Sequence, residues 1–273
     1  MGKKERTGEL RSSILSLVRS IADIGPIRKL YEETLLNQVS KGPMPSHVAF
    51  ILDGNRRWAK ERDLPIAAGH AQGAKKLGEV LSWLFDLDIK TITVYALSIE
   101  NLNRPSEEIR ALIEIMDTYL AEVLGNARLE KSGVRVKLIG NLGFLPERTR
   151  TLVHQLEQRT ANNSEYYFNV AIGYGGRQEI VEAMRKLAQL VQQGKIGISQ
   201  IDEKAVSDLL YTSHLPNPEP DMVIRTSGEF RTSNFLLWQS AYSEFLILDV
   251  YWPDFRRIDL LRAIRSYQSR ERR

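Results

Sequence analysis

Three short segments combine carboxylates and arginines, two of them with glycine, in a way that suits phosphate chemistry. The first, Asp53-Gly54-Asn55-Arg56-Arg57-Trp58, follows the apolar run HVAFIL at 47–52. An Asp at a strand end can hold a divalent cation. Gly54 lets a ligand approach the backbone. Arg56 and Arg57 are bidentate phosphate donors, and a helix opening near Asn55 would add free N–H groups. The plainer alternative is a capped turn with two solvated arginines. The second segment, Ser98-Ile99-Glu100-Asn101-Leu102-Asn103-Arg104-Pro105, follows the run TITVYAL. It reads as a pocket wall or as the N-cap of the next helix. The third runs from Arg225 to Asn234, with Arg225 and Arg231 bracketing glycine and hydroxyl side chains, a composition suited to a diphosphate. Glu244 lies between two apolar segments, where a carboxylate is costly unless it is paired or bound to a metal. His70, in AAGHAQGA, opens a helix, and a lone His there reads first as a capping or packing residue.

Other chemistries lack their residues. The chain has no cysteine, which removes disulfides, thiolate zinc sites and a cysteine nucleophile together. No GxxxxGK[ST] occurs, no GxGxxG follows a strand, and there is no GxSxG elbow. His47, His154 and His214 lack metal-ligand spacing.

Elements must bring those segments together. Six apolar runs read as strands: 47–52, 91–97, 134–140, 166–172, 222–226 and 245–250. Helical periodicity covers 70–87, 106–125, 146–162, 176–194, 202–211, 233–242 and 257–268. Alternating strands and helices predict an α/β fold, a single domain with a six-stranded, mainly parallel sheet flanked by helices. In such sheets ligands bind at the carboxyl ends of the strands, where the three segments fall. Residues 1–43 differ. Ile14, Leu15, Leu17, Val18 and Ile21, then Ile27, Leu30, Tyr31, Leu35 and Leu36, fit helical spacing with a break at Gly25-Pro26. The expected division is an N-terminal helical arm at 1–43 and a catalytic domain at 44–273. The arm reads as packed on a domain or partner, or as lying on a membrane surface.

The net charge of +4, with a pI near 9.2, raises nucleic-acid binding as one class. Its distribution argues against that class. Residues 1–60 and 256–273 each carry a net +5, and 61–255 carry −6. Phosphate binding in the body must therefore come from local placement. No run approaches the roughly 18 apolar residues of a membrane span, and the N-terminus has neither a secretory apolar region nor a myristoylation signal. The expected location is cytoplasmic.

Taken together, HVAFILDGNRRWAK, GHAQGA, YALSIENLNRP, FNVAIGYGGRQEIVEA and PDMVIRTSGEFRTSNFLLWQSAYSEFLILDVYWPDF resemble the cis-prenyltransferase family, the undecaprenyl and dehydrodolichyl diphosphate synthases. The match runs in order from about 46 onward and omits the arm. The resemblance implies a homodimer that extends an allylic prenyl diphosphate with isopentenyl diphosphate, using Mg²⁺, to a long polyprenyl diphosphate. It assigns Asp53 as the essential acid touching Mg²⁺. Gly54, Asn55, Arg56, Arg57 and Trp58 form the allylic-diphosphate cradle, helped by His70. Ser98, Ile99 and Glu100 line the substrate site, Asn101 takes part in proton removal, and Arg104 contacts diphosphate. Arg225, Arg231, Thr232 and Ser233 hold isopentenyl diphosphate. Glu244 is a metal ligand from, or close to, the neighbouring subunit. An apolar tunnel between sheet and helices, involving 77–97 and 109–124, would take the growing chain, and its release implies peripheral membrane contact.

Four positions depart from the bacterial pattern. Arg56 replaces glycine, Ile66 replaces arginine, Phe230 replaces histidine and Leu102 replaces tryptophan. They point to the archaeal type and to a different primer, such as geranylgeranyl diphosphate, with farnesyl diphosphate left open. The same-fold alternatives are an enzyme that makes a short chain or uses another acceptor, and a non-catalytic binding subunit. Retention of Asp53, Asn55, Arg57, Arg225, Arg231 and Glu244 counts against the subunit.

Overall fold

The computed structural model describes residues 25–127 and 129–270. The arm positions Ile14 to Ile21 lie outside the described residues. In chain order the elements are α1 (Gly25–Val39), β1 (His47–Ile51), α2 (Asn55–Lys60), α3 (Ile66–Asp86), β2 (Thr91–Ser98), α4 (Ser106–Gly125), β3 (Val134–Ile139), α5 (Glu147–Thr160), β4 (Tyr166–Tyr174), α6 (Gly176–Gln192), α7 (Glu203–Ser207), β5 (Met222–Arg225), β6 (Glu244–Ile247) and α8 (Arg257–Gln268). All six expected strands form. They make one parallel sheet in the order β3-β4-β2-β1-β5-β6.

The central strands are apolar because both faces of the sheet are covered. Every residue of β1 is buried, and so is every residue of β2 except Ala96. On one face Ile51, Tyr95, Tyr174 and Phe235 pack together. On the other, Leu97, Leu138 and Ile172 meet Leu120, Leu145, Val153 and Leu156 of the flanking helices and turns. One polar row crosses this apolar sheet. His47 Nδ1 donates to the Asn217 carbonyl at 2.9 Å, which leaves Nε2 to accept from the Thr93 hydroxyl at 2.8 Å. Asn169 Nδ2 donates to Thr93 Oγ1 at 3.2 Å, and Asn169 Oδ1 lies 2.9 Å from His214 Nε2.

The helix expected over 233–242 does not form. Ser233, Asn234 and Leu236 take φ values of 51°, 64° and 43°, left-handed conformations that interrupt a right-handed helix. The expected helix over 202–211 shortens to Glu203–Ser207 and continues as turns.

The chain forms two compact units. One is Pro45–Phe255, which contains the sheet. In the other, α1 packs along α8. Gln268 Nε2 donates to the Val39 carbonyl at 2.8 Å, Arg257 pairs with Glu32 at 3.6 Å, and the Arg262 guanidinium sits 5.2 Å from the Tyr31 ring centre. Leu35 and Val39 are fully buried, while Leu30, expected on the apolar face, is exposed. Among the described residues no helix is long and apolar enough to cross a membrane.

Candidate active site

The connection from β1 runs to β2 on one side and that from its other neighbour, β5, runs to β6 on the opposite side, so a crevice opens between the carboxyl ends of β1 and β5. Asp53 sits there, two residues past the strand. The Thr226 hydroxyl fixes its backbone, accepting from Asp53 N at 3.0 Å and donating to Asp53 O at 2.7 Å. Two arginines hold its carboxylate. Arg225 Nη2 donates to Oδ2 at 2.7 Å and Arg57 Nη2 to Oδ1 at 3.2 Å. Arg225 is buried, and its Nη1 donates to Ser233 Oγ at 2.7 Å and to the Arg231 carbonyl. Its Nε is buried with no protein partner, and Asn55 Oδ1 is likewise orphaned. A buried donor and acceptor left open beside a cleft are what a polar ligand would satisfy.

Local backbone chemistry shapes the cradle. Gly54 has φ 106°, and a Cβ there would meet Tyr251 at 2.7 Å. α3 approaches α2 closely because Gly69 and Gly73 face it; a Cβ on either would fall 2.2 or 2.3 Å from Asn55 atoms. α2 has only six residues, so its dipole is slight and the arginines carry the positive charge. Trp58 does not face the cleft. Its indole N–H donates to Asp254 at 2.8 Å, and Arg62 pairs with the same carboxylate while stacking on the indole.

His70 lies in the second turn of α3 rather than at its cap, and Pro65 occupies the cap position. It is buried, and Nε2 lies 3.1 Å from Glu108 Oε1. Burial holds its pKa below the usual histidine value, although Glu108 pulls the other way. Arg104 Nη1 donates to the same oxygen at 3.0 Å. Pro105 precedes α4 without a side-chain cap, so the polar residues before it are not serving as an N-cap. Ser98 and Asn101 instead form a closed turn, Ser98 N to Asn101 Oδ1 at 3.3 Å and Asn101 N to Ser98 Oγ at 3.2 Å.

The loop after β5 is strained: Ser227, Ser233, Asn234 and Leu236 all have positive φ. Tyr95 and Tyr174 support it from below. The Tyr95 ring stacks on Phe235 at 4.6 Å, and its hydroxyl donates to Tyr174 O and Ser233 O. The Tyr174 hydroxyl donates to buried Glu179, which also accepts from Tyr211 N and Gln239 Nε2. Burial pushes the Glu179 carboxyl up. At the loop's tip Glu229 pairs with both Arg57 (3.1 Å) and Arg231 (2.8 Å).

These elements enclose a cleft of about 690 Å³. Its walls bring together Asp53, Gly54, Asn55, Arg56, Arg57, His70, Ser98, Asn101, Arg104, Arg225, Arg231 and Ser233. Trp58, Ile99, Glu100 and Thr232 are outside the lining; Glu100 accepts from Asn234 Nδ2 at 2.8 Å. Glu244 stands beside Met222 in the ladder, at the opposite end of the sheet from Asp53. This chain therefore does not bring the two carboxylates together. Phe230, where the bacterial pattern of the resemblance expects histidine, is 87% exposed. The sequence reading missed Glu108 and Glu229. Only the spacing of Glu108 four residues after Arg104, at a helix start, offered a signal.

A second cavity of about 380 Å³ is lined almost wholly by apolar side chains of α3, α4, α5 and the sheet. It shares Leu52, Asn55, His70, Ala96 and Leu112 with the cleft. Among the described residues no three His, Asp or Glu side chains form a metal cage. One strand-end carboxylate in an arginine-lined cleft fits a hard cation that takes its other ligands from diphosphate oxygens and water.

The profile of the prenyltransferase family described as undecaprenyl diphosphate synthase matches residues 51–273. A tritrans,polycis-undecaprenyl-diphosphate synthase (geranylgeranyl-diphosphate specific) from Methanopyrus kandleri is 48% identical over 248 residues, 91% of each chain. A synthase of the same name from Thermoplasma volcanium is 47% identical over 245 residues, 90% of this chain and 94% of its own. Among solved structures, lavandulyl diphosphate synthase from Lavandula x intermedia, in complex with dimethylallyl diphosphate, is similar with a TM-score of 0.79 and 35% identity. That match covers 86% of this chain and 98% of the other.

Proposed function

The chain belongs to the undecaprenyl diphosphate synthase family of cis-prenyltransferases, and from that premise we propose that it builds a long polyprenyl diphosphate, with Mg²⁺, from isopentenyl diphosphate and an allylic primer. Residues 44–273 form the catalytic domain in this reading. The observation that carries it is the pairing of two cavities: an arginine-lined cleft for diphosphates opens beside an apolar cavity for a hydrocarbon tail, with Asn55 and His70 at their border. The geranylgeranyl specificity named for the archaeal relatives supports that primer.

Arg56, Arg57 and Arg104 would bind the allylic diphosphate, and Arg225, Arg231 and Ser233 the isopentenyl diphosphate. Each guanidinium has five N–H donors, so those now holding Asp53 or Glu229 keep others for a ligand. Breaking the allylic C–O bond builds negative charge on the leaving diphosphate, and arginines already in place stabilise it. Asp53 would hold Mg²⁺ at this site, and the ion, when bound, would add to that charge neutralisation. The terminal alkene carbon of isopentenyl diphosphate forms the new C–C bond, and a proton leaves. Asn101 is an amide and no base; it orients the substrate, and the released diphosphate accepts the proton. Apolar walls such as Leu52, Ala96 and Leu112 keep water from the cation.

Homodimer formation belongs to the same proposal. Glu244 would serve a metal only across a subunit boundary, and Val181, Met184 and Tyr242 offer exposed apolar surface for such contact. Membrane contact at product release is part of it too, with the basic C-terminal segment facing anionic lipid. A second reading has one supporting observation, the similarity to lavandulyl diphosphate synthase: an enzyme that stops short or uses another acceptor. Incubation with labelled isopentenyl diphosphate and either farnesyl or geranylgeranyl diphosphate, with Mg²⁺ or with chelator, separates the two. Long labelled products that vanish with chelator support elongation, whereas a single short product supports the second reading.

A further inference from the structure

Glu108 stands in the first turn of α4, and its side chain is only 7% exposed. A single oxygen, Oε1, lies 3.1 Å from His70 Nε2, 3.0 Å from Arg104 Nη1 and 3.6 Å from Arg56 Nε. The three partners come from α3, from the segment before α4, and from α2, so one carboxylate joins three separate elements. An ionised carboxylate only accepts, so His70 Nε2 carries the hydrogen and the ring is fixed in orientation. Arg56 and Arg104 both line the cleft and both keep N–H groups that Glu108 does not use. Without a counter-ion, two guanidiniums this close would repel and move apart.

We propose that Glu108 is a positioning residue for the allylic diphosphate, holding Arg56, Arg104 and His70 in the one arrangement that receives it. The inference rests on the elongation reading above. An anion beneath an anion site weakens the raw attraction for diphosphate. What it adds is geometry: donors held in place need no rearrangement when the ligand arrives. The two effects have opposite signs in an affinity measurement, which makes the proposal testable.

The experiment compares wild type, Glu108→Gln, Arg56→Ala and the double variant. It reads KM for geranylgeranyl diphosphate, KM for isopentenyl diphosphate, kcat and the thermal unfolding midpoint. Glu108→Gln raises the allylic KM about tenfold, the scale of one lost charge-assisted contact. The isopentenyl KM stays within about twofold. The double variant raises the allylic KM by less than the product of the two single effects, since both act through the same pair. A fall or no change in the allylic KM overturns the proposal, as does an equal rise in both KM values or a strictly multiplicative double variant. Should the Gln variant not fold, Glu108→Asp gives the same split between substrates in smaller measure, and absence of that split overturns the proposal. Wild-type elongation with an unaffected variant sinks this inference alone; wild type that does not elongate sinks the functional reading and this role with it.

Discussion

Asp53 and Arg231 differ in how far each is committed to other protein groups, and that difference orders the effects of removing them. Asp53 takes two arginines and has its backbone pinned by Thr226. Asp53→Ala frees both guanidiniums and removes the carboxylate proposed to hold the cation. Turnover is expected to fall by at least about 100-fold while circular dichroism stays native; near-normal turnover in the folded variant removes Asp53 from the mechanism. Arg231 is largely exposed, and its guanidinium pairs with Glu229 at 2.8 Å. Arg231→Ala is therefore expected to raise KM for isopentenyl diphosphate with less effect on kcat, and an unchanged KM moves that subsite elsewhere. Strand-end logic made Asp53, Ser98, Asn101 and Arg225 legible in the sequence, because a parallel sheet presents its carboxyl ends together. Glu108 and Glu229 were not legible. Beyond the neighbouring Arg104 and Arg231, their partners Arg56, His70 and Arg57 lie on other elements, and a carboxylate's pairing across elements depends on packing that no local pattern encodes.

The elements show the same division. Strands of apolar residues and helices of regular period were readable as elements, and 106–125 forms with the expected bounds, but ends shifted elsewhere: the helix expected from His70 opens at Ile66, and the strand expected at 245–250 spans Glu244–Ile247. The segment 233–242 has the apolar content of a helix yet forms turns, because Arg225, Tyr95 and Glu100 hold its first residues in left-handed conformations. Tertiary contacts outweigh propensity there. In α3, Gly78 borders the apolar cavity, and a Cβ on it would meet nothing within 4 Å. Gly78→Phe should therefore fold and fill part of the cavity. Mass spectrometry of products is expected to show shorter chains at similar early turnover; an unchanged length distribution would show that the tail lies elsewhere.

Across the whole molecule, the buried His47 and the half-buried His214 tie stability to pH. Burial lowers His47 to about 4 and His214 to about 4, against an ordinary value near 6.5. Both are neutral in the folded state, and the unfolded chain binds more protons between those values. Their contribution is therefore complete above about pH 6.5 and is lost as pH falls toward 4. The thermal unfolding midpoint is expected to drop across that window, and His47→Gln should flatten the drop; an unchanged profile in the variant would show that other groups govern it. These histidines end the polar row through Thr93 and Asn169, and that row has a geometric consequence. A parallel sheet whose strands are largely apolar offers little to stop one strand sliding along its neighbour. Sliding β1, β2 or β4 by a single residue would face an imidazole or an amide with hydrocarbon. The row thus acts as an alignment key at the foot of the sheet. By fixing where each strand begins, it fixes the height at which Asp53, Ser98 and Tyr174 emerge at the other end.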